Sequence, residues 1–120
     1  MARSTLFAGR HVLVVEDDFF IADDLVASLE AVGATVVGPV AFVRDALDLI
    51  GRGERLDGAV LDINLQGEMV FLVADALMER AISFVFATGY DPSIVPARFA
   101  GVLICEKPIN VDEVARAMWE

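Results

Sequence analysis

Gly58-Ala59-Val60-Leu61-Asp62 is an apolar run that stops at a carboxylate. An unbroken apolar run of roughly four to eight residues, without polar alternation, suits an interior strand of a parallel sheet covered on both faces. Such strands deliver whatever follows their carboxyl end to the crevice where open α/β sheets bind ligands. Here the delivered group is Asp62. The residues behind it, Ile63-Asn64-Leu65-Gln66-Gly67, are turn-like and free its side chain from the sheet.

Working outward, strand and helix patterns alternate along the whole chain. His11-Val12-Leu13-Val14-Val15 is a β-branched run ending at Glu16-Asp17-Asp18. Ile21, Leu25, Leu29 and Val32 then mark one face of a first helix, closed by Gly33. Thr35-Val36-Val37 predicts a second strand, and Gly38-Pro39 behind it suits an edge position. Val43, Ala46, Leu47 and Ile50 mark the second helix. After Asp62 the third helix is expected from about residue 68 to 80, although Met69 to Val73 are consecutively apolar and some must face outward. Ile82 to Ala87 predicts the fourth strand, leading into Thr88-Gly89-Tyr90. Two prolines, Pro92 and Pro96, make the following helix short or irregular. Val102-Leu103-Ile104-Cys105 predicts the fifth strand, ending at Glu106-Lys107-Pro108. The last helix starts at Asn110, an N-cap with Glu113 three residues on, and its core face is Val111, Val114 and Met118.

This βα alternation predicts an α/β fold, a doubly wound (βα)5 parallel sheet with helices on both faces. Right-handed crossovers and one reversal of direction favour the flavodoxin-like strand order 2-1-3-4-5. The 120 residues are expected to form one domain, with a core over about 10–119. In that order Glu16, Asp17, Asp62, Thr88 and Lys107 all lie at one edge and face one crevice.

Composition narrows the functions. Hydrophobic residues make up 57% of the chain, which excludes a disordered segment. No apolar run reaches the roughly eighteen residues a membrane span needs, and the first residues lack the pattern of an export signal. The lone Cys105 cannot form an internal disulfide and fits a cytoplasmic location. A net charge of −10 argues against nucleic-acid binding and favours a basic partner surface or a metal cation. A monomer or weak dimer is expected.

Three clustered carboxylates stay ionised only if a cation neutralises them. An all-oxygen set without histidine or cysteine selects a hard cation, magnesium foremost, with manganese able to substitute. A lysine beside it supplies a point charge for an anion, and Thr88 supplies a hydroxyl. Together these groups form a phosphoryl-transfer set, with Asp62 as the nucleophile that becomes an acyl phosphate.

The same residues resemble the receiver domain of two-component response regulators (CheY-like) over nearly the whole chain. Val14-Val15-Glu16-Asp17-Asp18 is similar to the acidic pair, Glu16 and Asp17, with an acidic neighbour. Asp62-Ile63-Asn64 is similar to the phosphoacceptor and the position whose backbone carbonyl ligates magnesium. Thr88 matches the hydroxyl position, and Lys107-Pro108 the lysine–proline pair. Phe86-Ala87-Thr88-Gly89-Tyr90, with Gly38-Pro39-Val40, further resembles the single-domain subgroup named for its FATG motif, known mainly in alphaproteobacteria. The resemblance implies phosphorylation of Asp62 by a sensor histidine kinase or histidine phosphotransfer protein. It also implies a downstream protein target, a cis peptide before Pro108, and a switch rather than an enzyme.

Two departures stand out. Receivers carry an aromatic residue on the last strand where this chain has Ile104, and the segment between Thr88 and Lys107 is short. Tyr90, two residues beyond Thr88, is the candidate to take over gating. Asp18 is expected to serve the first turn of helix one, Cys105 to be a buried small hydrophobe, and His11 to have no role. Two other classes compete. A haloacid-dehalogenase-like phosphatase would also use Asp62, but needs a second carboxylate where Asn64 stands. A flavin module would need a phosphate loop where Glu16-Asp17-Asp18 stands.

Overall fold

The strands that carry the acidic residues run side by side through the centre of the molecule. A computed structural model describes residues 6–89 and 94–119. Its first strand, β1, is His11–Val15, and α1 is Phe19–Ala31. β2 is Thr35–Val40, α2 is Val43–Gly51 and β3 is Gly58–Asp62. Two two-residue strands follow, β4 (Asn64–Leu65) and β5 (Glu68–Met69), then α3 (Phe71–Glu79) and β6 (Ser83–Thr88). A 3-10 turn at Ala97–Phe99 precedes β7 (Ile104–Glu106) and α4 (Val111–Trp119). The main sheet is parallel, in the order β2-β1-β3-β6-β7, with β4 and β5 forming a separate antiparallel pair. With that small hairpin set aside, the order is the expected 2-1-3-4-5 of a flavodoxin-like fold.

Alternation along each strand divides the core in two. Leu13, Val15, Ala59, Leu61 and Phe86 face Val43, Ala46 and Ile50 of α2 and Val73, Ala74 and Leu77 of α3. Val12, Val14, Val60, Val85 and Cys105 face the other way, onto Leu25 and Leu29 of α1 and Val114, Ala115 and Met118 of α4. Every residue of β3 is buried, as its composition requires. A Cβ on Gly58 would stand 2.8 Å from Trp119 Cζ2 and 2.9 Å from Met118 Sδ, so only glycine lets α4 seat on the start of β3. The Trp119 indole N–H donates to the Asp57 carbonyl at 3.1 Å, and the ring meets Phe7 edge-on at 5.0 Å and Arg10 at 4.5 Å. No helix among the described residues is long and apolar enough to cross a membrane.

Several element limits differ from expectation. β2 continues through Gly38-Pro39, whose peptide is cis, and a register shift between Leu13 and Val15 absorbs the irregularity. The strand is at the edge, where a missing proline N–H costs no ladder bond on its outer side. α3 begins at Phe71 rather than near residue 68, because Glu68–Met69 pairs back onto Asn64–Leu65. The Val70 N–H then reaches the Ile63 carbonyl at 3.0 Å and starts the helix. Of the apolar run in α3, Leu72 is 62% exposed, while Val73, Ala74 and Leu77 are buried. β6 and β7 each lie slightly further along the chain than their patterns suggest. In the segment expected to hold a short or irregular helix, the described residues carry the 3-10 turn Ala97–Phe99. Phe99 fills the space beneath it, stacked on Phe71 at 5.8 Å and edge-on to Phe86 at 5.4 Å, and Arg98 clamps Asp75 of α3 at 2.9 and 3.0 Å. Asn110 caps α4 by accepting from the Glu113 N–H at 3.1 Å.

Candidate functional site

Four parallel strands end at one edge of the sheet, and what they release there forms the site. Glu16 follows β1, Asp62 ends β3, Thr88 ends β6 and Lys107 follows β7. The β1–α1 loop is fixed at both sides. The Glu16 N–H donates to the Val40 carbonyl at 3.0 Å, and Asp18 caps α1 by accepting from the Phe20 and Ile21 N–H groups. Asp18 is therefore a helix cap that also borders the crevice.

Glu16, Asp17 and Asp62 each bring a carboxylate oxygen to within 4.8 Å of the others. Glu16 and Asp62 are both 5% exposed. Lys107 Nζ lies between these two, 2.7 Å from Glu16 Oε1 and 3.3 Å from Asp62 Oδ2. The Lys107–Pro108 peptide is cis. Together with Asn64, Gln66, Gly67 and Gly89 these groups line an open crevice of about 520 Å³. Asn64 commits its side chain to the hairpin, its Oδ1 accepting from the Gly67 N–H at 2.6 Å, while its own N–H faces Asp62 Oδ1 at 3.4 Å.

Burial pushes the Asp62 carboxyl up to about 7, helped by the hydrogen bond and charge of Glu16 and only partly offset by Lys107. Burial also acts to raise Glu16, but hydrogen bonds from Lys107, Asp62 and the Asp18 N–H outweigh it and hold that carboxyl below its ordinary value. Burial acts to lower Lys107, and its bond to Glu16 and the charge of Asp62 reverse this and raise it. Burial and the neighbouring Glu16 carboxylate thus favour the protonated form of Asp62, and the Lys107 ammonium offsets them only in part. The donor set, all oxygen and overcharged, fits a hard divalent cation that would displace this proton.

A pH dependence follows. The folded-state value of Asp62 lies above its ordinary 3.8, so the folded protein binds this proton more tightly than the unfolded chain. Without divalent metal, stability is expected to fall by on the order of 3 kcal/mol as pH rises from about 4 to 7, and to flatten above. The lowered Glu16 works in the opposite sense, below its ordinary 4.5. Urea melts in a chelator at several pH values, repeated with magnesium, check both points. A metal-free stability that rises across the window would contradict the assignment of the proton to Asp62.

The remaining residues of the sequence analysis fall as follows. Thr88 is 1% exposed and sits behind the crevice lining, its carbonyl accepting from the Lys107 N–H at 3.3 Å. Ile104 is half-buried on β7, opposite Phe86. Tyr90 lies outside the described residues. Cys105 is buried, and burial followed by the charge of Glu113 pushes its thiol up to about 11, which leaves it unreactive. His11 pairs with Asp57 through its backbone, its N–H donating to Asp57 Oδ2 at 2.7 Å and its carbonyl accepting from the Asp57 N–H at 2.7 Å. Two features escaped the sequence reading. Phe19 and Phe20, beside the crevice at the start of α1, are 75% and 78% exposed and pack edge-on at 5.7 Å. The clue is two aromatic residues in succession, both off the apolar face of α1. Gln66 and Gly67 also line the crevice, although the pattern marks them only as a turn.

Solved structures similar to this chain carry the comparison further. The BeF3-activated conformation of SdrG from Pseudomonas melonis Fr1 is 41% identical, over 92% of this chain and 93% of that one, with a TM-score of 0.73. SdrG from Sphingomonas melonis Fr1 is 36% identical over 98% of this chain and all of that one, with a TM-score of 0.81. A response regulator receiver protein from Sinorhizobium medicae WSM419 shares the fold at 22% identity, over 92% and 91% of the two chains, with a TM-score of 0.76. So does a response regulator from Burkholderia pseudomallei with a phosphorylated aspartic acid, a calcium ion and citrate, at 24% identity over 91% and 66%, with a TM-score of 0.78. No protein-family model and no curated protein matches the chain.

Proposed function

The chain belongs to the response regulator receiver family, and from that premise we propose that it is a phosphoaccepting switch of the FATG-motif subgroup, with Asp62 as the acceptor. One observation carries this reading. A buried carboxylate at the end of an interior parallel strand lies within 3.3 Å of an ammonium and in a cluster with two further carboxylates. The BeF3-activated form of SdrG and the phosphorylated aspartic acid of the Burkholderia protein lend it support.

The phosphodonor is a histidine kinase or histidine phosphotransfer protein. An Asp62 oxygen attacks the phosphorus of the phosphoimidazole in line. The new oxygen–phosphorus bond forms as the phosphorus–nitrogen bond breaks, and its electron pair returns to the imidazole nitrogen. Lys107 is placed to hold one phosphoryl oxygen, and the Thr88 hydroxyl moves in to hold another. Asp17 and Asp62, with Glu16 through water and the Asn64 carbonyl, are the groups to hold magnesium, which would supply positive charge to the phosphoryl oxygens. The acyl phosphate carries about two negative charges in place of one, and this change is what a downstream protein reads. Tyr90 is retained as the candidate gate. The protein acts as a cytoplasmic switch that signals through protein contacts.

Incubation with acetyl phosphate and magnesium tests this reading. About one labile phosphoryl group per chain is expected, with slow self-hydrolysis. Sustained release of many equivalents of phosphate would instead mark a dehalogenase-like phosphatase and overturn the switch.

A further inference from the structure

Leu65 and Glu68 pair across a connection of two residues, Gln66 and Gly67, with φ of +54° and +94°. Positive φ at both central residues defines a hairpin turn of type I′. Asparagine or aspartate followed by glycine suits such a turn, and a long L side chain at its first position is disfavoured. Gly67 meets the requirement. Gln66 does not, and it is exposed, so no packing against the core accounts for its presence. What it does have is a place in the crevice wall with Asp62, Asp17 and Lys107. Of the two carboxamides in that wall, Asn64 has its oxygen held by Gly67, which leaves Gln66 to meet a ligand.

The turn is also tied to the acceptor. The Asn64 N–H faces Asp62 Oδ1 at 3.4 Å, and the Val70 N–H closes the hairpin base on the Ile63 carbonyl at 3.0 Å. The Gln66 carboxamide is therefore carried on a short stiff frame that begins one residue after Asp62. Its neighbours are carboxylates, which repel a phosphoryl group, and an ammonium, which cannot accept from water. A carboxamide both accepts through Oε1 and donates through Nε2 while exchanging no proton.

Resting on the phosphoacceptor reading, we propose that Gln66 positions the water that hydrolyses the Asp62 acyl phosphate, and thereby sets the lifetime of the phosphorylated state. The water oxygen bonds to phosphorus as the bond from phosphorus to the Asp62 oxygen breaks. The electron pair returns to the carboxylate, and both water hydrogens leave on inorganic phosphate. Gln66 contributes orientation alone, which is enough to alter a hydrolysis rate by an order of magnitude or more.

The test compares wild type with Gln66→Gly and Gln66→Asn, each labelled with radioactive acetyl phosphate and magnesium and then freed of donor. Label is expected to decay about tenfold more slowly in both variants, because neither carries a carboxamide of that reach. The rate of labelling stays within about twofold of wild type, since the attack by Asp62 does not involve Gln66. Melting temperatures stay equal or rise, because glycine and asparagine fit the left-handed position better. A merely structural role for Gln66 predicts the reverse, lower melting temperatures with unaltered decay. Decay in both variants equal to or faster than wild type overturns the proposal. Wild type that takes no label at Asp62 overturns the phosphoacceptor reading itself, a distinguishable result.

Discussion

Asp62→Asn is expected to abolish labelling by acetyl phosphate, with a loss of more than about 10³-fold while the fold survives. The carboxamide keeps the shape of the side chain and its place at the end of β3, but it offers no anionic oxygen to attack phosphorus. Survival of the fold follows from the electrostatics. Burial and the neighbouring Glu16 already hold the Asp62 carboxyl up near 7, so its ionised form is a burden on the folded protein. Removing that charge relieves the repulsion, and in a chelator at pH 7 the variant should melt at or above the temperature of wild type. Mass spectrometry of the labelled proteins checks the first point and a thermal melt the second. Label retained at another residue would remove Asp62 from the role given to it.

Lys107→Met produces the second large effect, on stability and chemistry at once. Methionine keeps much of the aliphatic length and removes the ammonium that lies 2.7 Å from Glu16 and 3.3 Å from Asp62. Two buried carboxyl groups then share one site without a cation. At pH 7 in a chelator the loss should be about 3 kcal/mol, which for a domain of this size lowers the melting temperature by roughly 10 °C. Lowering the pH to 5 should recover much of it, since a proton replaces the missing charge. Labelling by acetyl phosphate should fall about 10²- to 10³-fold even under conditions where the variant is folded, through loss of a donor to the phosphoryl oxygens. Circular dichroism melts and labelling at matched folded fractions separate the two effects. A variant as stable and as reactive as wild type would mean that Lys107 is a bystander.

The site was legible in the sequence to the extent that strand ends are legible. Interior parallel strands need apolar side chains on both faces, so β1 and β3 stand out, and the first polar residue after each must sit at the edge. That reasoning places Glu16, Asp17 and Asp62 together, and the strand order adds Lys107; the structure groups the three carboxylates and sets the ammonium against two of them. Such reasoning is weaker for depth. Thr88 is the last residue of β6 and is buried, whereas Glu16 and Lys107 stand one residue past their strands, and the strand pattern does not tell these depths apart. The hairpin of β4 and β5 could not be seen, because two-residue strands have no period and Glu68-Met69 favours a helix by composition. Gln66 was missed for the same reason, since its importance depends on a turn type that its own identity argues against. The exposed Phe19 and Phe20 show the opposite failure. Hydrophobicity marks a residue for burial and carries no information about surfaces kept bare.

Trp119 gives the seating of α4 on Gly58 a practical side. This is the chain's single tryptophan, and its ring stands over the first residue of the strand whose last residue is Asp62. Four strand steps of about 3.3 Å put roughly 13 Å of close-packed protein between the chromophore and Asp62. Indole emission is thus a natural gauge of whether α4 is docked, and will register global unfolding as a shift to the red. At that distance it lies beyond direct contact with what binds in the crevice. One spectroscopic channel, with nothing attached to the protein, can follow integrity while an independent assay follows chemistry at the other end of the same strand.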